Sequence, residues 1–163
     1  MTIGIAWLLV GAGSTTACAG GPSAHGLCHA PQTTYFQCDT DRHKTISLCG
    51  ELPTTLRYGY GTAAHRELQF PASASGSAAQ FGFAHYARYQ TERSDVIFHH
   101  ARTDYAVFDS TEKGRHRAGV DITIADGRQA QVRCVGAIQG QPIRLGESLH
   151  CDADSALNEA GCP

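Results

Sequence analysis

The pattern in residues 118–135 constrains the fold of this chain more than any other. Apolar side chains occupy every second position from Val120 to Ile124 and again from Ala130 to Cys134. Between the two runs stands Asp126-Gly127, the preferred dipeptide of a two-residue type I′ turn. Because successive strand residues point to opposite faces, this alternation predicts an antiparallel hairpin with one buried and one solvent-facing side.

The remaining sequence from about residue 34 also has the character of short strands. Strand patterns occur at Tyr35–Cys38, Lys44–Cys49, Thr55–Tyr60, Arg66–Phe70, Phe81–Tyr89, Asp95–His100 and Tyr105–Phe108. Charged residues make up 17% of the chain, against about 25% in an average domain, which favours strands and turns over long charged helices. We therefore expect an all-β fold, a small antiparallel sandwich or partly closed barrel of seven to nine strands. Past Cys134 we expect only a short C-terminal helical turn within Ala153–Asn158.

The first nineteen residues have the features of a signal peptide. The apolar run from Ile3 to Ala12 carries no charge and is shorter than the about 20 residues that cross a bilayer. Ala17-Cys18-Ala19 supplies the small residues of a cleavage site. We assign 1–19 as the signal peptide and 20–163 as a single β-rich exported domain, periplasmic or extracellular. The alternative that stays open is an outer-membrane lipoprotein acylated at Cys18, the only route by which we expect membrane contact.

Six further cysteines predict that the fold is stapled by three disulfides, as is common in small exported domains. They are Cys28, Cys38, Cys49, Cys134, Cys151 and Cys162. A hairpin that turns at His43-Lys44 would pair Cys38 with Cys49, the sequence spacing favours Cys151–Cys162, and elimination leaves Cys28–Cys134. The last two cysteines of the chain can pair only if the intervening helix is a single turn that doubles back, because a longer straight helix would separate them too far.

Charge and motifs argue against several functional classes. Thirteen basic against fifteen acidic residues give a formal charge of −2, which does not suit a nucleic-acid binder. The sequence contains no Gly-x-Ser-x-Gly, Cys-x-x-Cys or His-Glu-x-x-His motif, and His99-His100 on one strand point to opposite faces. We predict no catalytic residues, no metal site and no cofactor, and we expect that the protein is not an enzyme.

Two segments are rich in Tyr and Arg, the residue types that dominate protein interfaces. One contains Tyr58 and Tyr60 and the other contains Tyr86 and Arg88, and within each segment the two residues share one face of a strand. The alternative is that the tyrosines pack across strands within the sheet. A basic run at Lys113–Arg117 is expected to form a solvated loop.

The spacing of several short motifs resembles that of known exported proteins. The motifs are Tyr35-x-x-Cys38, Ile46-x-Leu48-Cys49, Tyr105-x-Val107-Phe108, Ala118-Gly119-Val120-x-Ile122 and Val132-x-Cys134. Over about residues 35–135 they resemble a group of small exported proteobacterial proteins of unassigned function, which implies a periplasmic β-protein. The arrangement is also similar to the C-type lysozyme inhibitors, small periplasmic or lipid-anchored antiparallel barrels.

The resemblance to the inhibitors implies a binding role for the stretch Ala101–Tyr105. That family inserts a loop with a Ser-Gly-x-x-Tyr element into the lysozyme cleft. Here the stretch lacks the Ser and the Gly but retains the tyrosine, so Arg102, Asp104 and Tyr105 become candidate contact residues.

The function expected from these observations is protein–protein binding in the cell envelope. The partner would be another envelope or secreted protein, with a peptidoglycan hydrolase as the class that an inhibitor or immunity-type protein would block. One alternative is a binding module for a small ligand or a glycan, held in a barrel mouth lined by Phe81, Phe83 and Phe98. Another is a purely structural role.

Overall fold

The computed structural model describes residues 26–158 and 161–162. Its strands are β1 Thr33–Thr40, β2 Thr45–Glu51, β3 Thr55–Gly61, β4 Arg66–Phe70, β5 Gly82–Arg88, β6 Thr91–His100, β7 Thr103–Glu112, β8 Arg115–Ile124, β9 Gln129–Gly140 and β10 His150–Cys151. Short 3₁₀ helices at Ser77–Gln80, Pro142–Glu147 and Ala156–Asn158 lie in the connections. The expected signal peptide and Cys18 lie outside the described residues.

All ten strands belong to one curled sheet in the order β10-β5-β6-β7-β8-β9-β1-β2-β3-β4. Neighbouring strands are antiparallel except for β10, which runs parallel to β5. The expected all-β class, a small and partly closed antiparallel sheet, is confirmed. The number of strands exceeds the predicted seven to nine because β10 has only two residues, too few to show a period in the sequence.

The hydrophobic core is centred on Phe98 of β6, which is almost completely buried. Its ring centroid lies 4.7 Å from that of Phe70, 4.8 Å from that of Tyr105 and 4.9 Å from that of Tyr58. Phe81, in the connection before β5, packs at 5.4 Å. Rings from β3 and β4 thus meet rings from β6 and β7, which are distant in the strand order, so the sheet curls around a shared core. Burying each such ring stabilises the fold by roughly 1.5–3 kcal/mol.

The β8–β9 hairpin forms where the sequence predicts it, but its turn is different. The Gly127 amide donates to the Ile124 carbonyl at 2.8 Å, and the Ile124 amide donates to the Arg128 carbonyl at 2.9 Å. Gly127 has a φ of 84°, so the connection is a three-residue loop with a bulge. The predicted two-residue type I′ turn is therefore wrong. The longer loop sets Val120 opposite Val132, whereas a shift of one residue would turn one of them away from the core.

Two of the three predicted disulfides are wrong. Cys28 is bonded to Cys49 and Cys38 to Cys134, with Cα separations of 5.4 Å and 5.6 Å. Cys38 lies opposite Ile46 in the β1–β2 register. Because Cys49 is three positions further along β2, its side chain points to the other face of the sheet and cannot reach Cys38.

The third predicted disulfide, Cys151–Cys162, is confirmed, with a Cα separation of 5.7 Å. The helix between them is the single 3₁₀ turn Ala156–Asn158. The Gly161 amide donates to the Asn158 carbonyl at 2.7 Å, so the chain doubles back as this pairing requires.

The turns collect at two ends of the curled sheet. At one end lie the turns at 41–44, 62–65, 101–102 and 125–127, and at the other end those at 52–54, 89–90 and 113–114. The 3₁₀ helix Pro142–Glu147 follows β9 at the second end and contacts β1, β5, β6 and β7. Its Leu145 is fully buried, so this helix covers the core at that end.

Three disulfides in one small domain are typical of oxidising compartments and are consistent with export. In the described part of the chain, no helix is long and apolar enough to cross a membrane.

Candidate binding surface

Two β-hairpins extend beyond the 3₁₀ helix Pro142–Glu147 and form what we call the two-hairpin lobe, residues 85–93 and 109–117. Each hairpin closes in a two-residue turn, one at Tyr89-Gln90 and one at Lys113-Gly114. The Lys113 amide donates to the Gln90 carbonyl at 2.8 Å. This hydrogen bond joins the two tips, so they present one continuous surface.

The lobe is exposed on both of its faces. Residues 86–90 and 111–117 are all exposed, although successive side chains point to opposite sides. Tyr89 at the tip is 87% accessible and Tyr86 is 37% accessible. A sheet in a small antiparallel domain ordinarily packs one face on the core. A strand segment with both faces exposed to solvent is therefore available to a partner.

The outer face of the lobe presents an aromatic and arginine row across four strands. Tyr86, Arg93, Ser110 and Arg117 lie directly opposite one another in the registers of β5 to β8. The Arg88 guanidinium carbon lies 5.7 Å from the centroid of the Tyr86 ring. Tyr and Arg together supply rigid contact area and charged hydrogen bonds, which is why they recur at binding hot spots.

The lobe is basic although the chain as a whole is acidic. It contains five Arg and Lys residues against three Asp and Glu, whereas the whole chain has a formal charge of −2. Of its three carboxylates, Glu112 forms an ion pair with Arg117, whereas Glu92 and Asp109 are hydrogen-bonded to His85 and His116.

Three cations of the lobe remain without a carboxylate partner among the described residues, namely Arg88, Lys113 and Arg115. The uncompensated charge at the lobe is therefore positive. Such a surface attracts an acidic partner and repels a basic one.

Arg93 fixes the base of the lobe to the rest of the sheet. It donates to Asp95 at 2.7 Å and to Asp121 at 2.9 Å. Its guanidinium also lies 4.8 Å from the centroid of the Phe108 ring. Burial raises the pKa of Asp95, and the hydrogen bonds from Arg93 offset only part of that increase. These contacts fix the position of the Arg93 side chain, which in turn links the base of the lobe to β8.

The tyrosines of the first Tyr-rich segment lie elsewhere. Tyr58 is only 3% exposed, and burial raises its pKa far above the ordinary range. Tyr60 is half-buried beneath Lys44, whose Nζ lies 5.3 Å from the ring centroid. Tyr105 stacks on Phe98 with the ring planes 2° apart. The expectation that Tyr58 contacts a partner is wrong, because the curled sheet buries this side chain. Tyr58 instead packs against rings of other strands, which was the alternative prediction.

The stretch Ala101–Tyr105 is not a protruding loop. Ala101 and Arg102 form the two-residue turn between β6 and β7, both with positive φ, and the following residues are already in β7. Asp104 pairs with His99, with 2.6 Å between Oδ1 and Nδ1. The expected loop is therefore a tight turn followed by a strand, and contact of Arg102–Tyr105 with a partner stays a prediction.

The sequence marked both parts of the lobe without showing that they belong together. Tyr86 and Arg88 stood out as an interface candidate, and the basic run at Lys113–Arg117 as a solvated loop. In the structure, Arg115–Arg117 are strand residues of β8. The two segments become neighbours only through the pairing of β6 with β7.

Within the described residues no group of three or more His, Cys, Asp or Glu side chains could hold a metal ion. Comparisons of the chain with protein-family models, with curated proteins and with solved structures find no match.

Proposed function

We propose that this protein is exported and acts by binding another protein of the cell envelope through the two-hairpin lobe. The observation that carries the proposal is a pair of strand hairpins exposed on both faces, with Tyr86, Tyr89 and Arg88 at their surface. Strand pairing and the contacts of Arg93 with Asp95 and Asp121 fix the base of the lobe, which reduces the conformational entropy lost on docking.

The charge of the lobe indicates the kind of partner. Arg88, Lys113 and Arg115 lack carboxylate partners among the described residues, and each lies at or near a hairpin tip. An acidic surface or cleft on the partner would neutralise these cations and would also speed up association.

The sharper form of the proposal is an inhibitor or immunity-type protein directed against a cell-wall hydrolase. Enzymes that cleave glycosidic bonds generally carry two carboxyl groups in their cleft. The basic residues of the lobe, beside the exposed Tyr89, would complement such a cleft in charge. Blockage would follow from occupation of the cleft and needs no bond-breaking chemistry on this chain.

The test is capture of a partner from envelope extract, followed by lysozyme and amidase assays with and without the purified protein. The informative variant is the double charge reversal Arg88→Glu and Arg115→Glu. Each reversal places a negative charge against an acidic partner, and we expect each to weaken binding by about tenfold or more. The matched control is Arg42→Glu, which makes the same change in the exposed β1–β2 turn at the other end of the sheet.

The proposal would be supported if wild type and the Arg42→Glu variant both inhibit the hydrolase and the double variant does not. Absence of any captured partner and of any inhibition at micromolar excess would contradict it and would favour a purely structural role. Equal losses in the Arg42 variant would contradict the lobe as the binding surface.

The alternative of a ligand in an apolar barrel mouth receives no support from the core. Phe81 and Phe98 pack against each other and against Phe70, so these rings fill the space in which a ligand was expected.

Export has a separate test in the intact mass of the protein purified from cell envelopes. Removal of 1–19 would give a chain that begins at Gly20, whereas acylation would leave Cys18 as a lipid-modified first residue.

A further inference from the structure

A second, smaller site lies on the inner face of the lobe, where β6, β7 and β8 meet the segment that follows β9. Its floor consists of directly opposed residues, Ser94 with Asp109 on one rung and Glu92 with Thr111 on the next. Neighbouring strands are about 4.8 Å apart, and alternate residues of a strand about 7 Å apart. Four hydroxyl and carboxylate groups thus stand at the corners of a small rectangle.

The opposite wall of this cleft is apolar. Ile138 of β9 and Pro142 and Ile143 of the 3₁₀ helix face the polar floor across a cleft of about 360 Å³. That volume lies near the lower end of the roughly 300–1,000 Å³ range for small-molecule sites. The cleft is therefore sized for a small ligand with one polar edge and one apolar face.

Ser94 contributes a hydroxyl that a ligand in the cleft can bind. The residue is 3% exposed and lines the cleft, yet no residue in the described part of the chain hydrogen-bonds its hydroxyl. Its Oγ is not one of the fully enclosed side-chain atoms that lack a partner, so it is accessible from the cleft. A ligand hydroxyl in the cleft would supply the partner that Ser94 lacks.

Each of the two carboxylates of the floor has one oxygen that is hydrogen-bonded to a histidine and one that is not. Asp109 is bonded through Oδ1 to His116 at 2.7 Å, and Glu92 through Oε1 to His85 at 3.3 Å. The described residues give no partner to the second oxygen of either group, so each can accept a hydrogen bond from a ligand. The histidines hold both carboxylates in position for this.

We propose that this cleft binds a neutral sugar ring. The hydroxyl groups of one ring would donate to Asp109 and Glu92 and exchange hydrogen bonds with Ser94, while its C–H face would pack on Ile138 and Ile143. An anionic ligand is disfavoured because the floor carries two carboxylates. The inference does not rest on the proposed protein partner, whose surface includes Tyr86 and Arg88 on the outer face.

The experiment uses the full exported domain and three probes, glucose, N-acetylglucosamine and the N-acetylglucosamine trimer. Saturation-transfer NMR detects binding, and amide shifts in a ¹⁵N-labelled sample locate it. The monomer and the trimer distinguish a site for a free sugar from one for a ring within a glycan chain. Ser94→Ala and Asp109→Asn remove one ligand contact each. Ser110→Ala is the matched control, since Ser110 neighbours Asp109 but points to the outer face.

We expect at least one probe to bind and to shift the amides of Ser94, Thr111 and Ile143. Loss of a hydrogen bond to a charged group should weaken binding about tenfold in Asp109→Asn, and loss of a neutral one about fivefold in Ser94→Ala. Ser110→Ala and the Arg88→Glu/Arg115→Glu variant should bind as wild type does, which separates this site from the lobe surface.

Three results would overturn the proposal. The first is no saturation transfer from any probe up to its solubility limit. The second is unchanged affinity in both Ser94→Ala and Asp109→Asn, which would place the sugar elsewhere. The third is binding of a polyamine such as spermidine at these amides with no sugar binding, which would make the cleft a cation site.

Discussion

Two segments of similar composition differ in burial: one lies in the core of this protein and the other is exposed to solvent. Arg57–Tyr60 lies in β3 and His85–Tyr89 at the end of β5, and both combine Tyr with Arg. Tyr58 is 3% exposed in the core, whereas Tyr89 is 87% exposed at a hairpin tip. Composition shows that a segment is rich in interface residues, and only the packing shows whether another layer covers it.

The physical cause is where each strand segment lies relative to the rest of the curled sheet. Tyr58 points to the inner face, where Phe98 from a distant strand covers it at 4.9 Å. The end of β5 extends beyond the 3₁₀ helix Pro142–Glu147, and among the described residues both of its faces are exposed. The core and the lobe should therefore respond very differently to substitution.

The largest expected effect comes from the disulfide that joins the neighbouring strands β1 and β9. Cys38–Cys134 spans 96 residues, and in the chain-entropy model its removal costs about 4–5 kcal/mol. Urea unfolding of the Cys38→Ala/Cys134→Ala variant measures this. The control, Cys151→Ala/Cys162→Ala, opens a separation of only 11 residues and should cost about 3 kcal/mol. A larger loss of unfolding free energy in the control would contradict the expectation that the longer closed loop contributes more stability.

Next in size is the contrast between a core ring and a lobe ring. Phe98→Ala should reduce the free energy of unfolding by about 3–5 kcal/mol, since four other rings pack on Phe98. Tyr86→Ala should cost less than about 1 kcal/mol, because the exposed ring loses mainly its contact with Arg88. The measurement is denaturant unfolding with the disulfides intact. Similar losses would show that the lobe is part of the core.

A smaller effect is expected from the backbone of the lobe tip. Gly114 has a φ of 77°, and a Cβ added there would meet nothing within 4 Å. Gly114→Ala should therefore cost only the backbone strain, about 1 kcal/mol. Gly127→Ala is the matched change in the β8–β9 turn, with a φ of 84° and equally open surroundings. A much greater loss at Gly114 in thermal unfolding would mean that the tip contacts other residues.

The smallest effect is a pH dependence that arises at the base of the lobe. Because burial raises the pKa of Asp95, the folded protein holds the proton more tightly than the unfolded chain. Wild type should therefore gain stability as the pH falls through the window between the raised pKa and the unfolded value of about 3.9. Asp95→Asn should lack this gain when unfolding free energies are compared from about pH 7 to pH 3. A wild-type loss relative to the variant in this window would contradict the sign.

The nine longer strands were predictable because each one carries its own signal in the sequence. Arg66–Phe70 was predicted with the observed bounds, and the other predicted strands lie where expected within a few residues. Pairing was less predictable because register depends on bulges. The β1–β2 turn closes with the Thr40 amide on the Lys44 carbonyl, one of several deviations from a two-residue turn, and this register places Cys38 opposite Ile46 and not Cys49.

The candidate site was predicted in fragments for a similar reason. Tyr86 and Arg88 were singled out, and Lys113–Arg117 was recognised as basic, but their proximity depends on β6 and β7 lying between them. The cleft around Ser94 had no signal in the sequence, because a serine whose hydroxyl lacks a partner is recognisable only when its surroundings are known.

The all-β class, the positions of the nine longer strands and the six cysteines available for disulfides can be read from the amino-acid sequence. These properties follow from local alternation and composition, which act within a few residues. The pairing of the cysteines, the burial of the tyrosines and the exposure of the strand ends became known from the folded structure. Each of these depends on contacts between residues far apart in the chain, and the curl of the sheet brings those residues together.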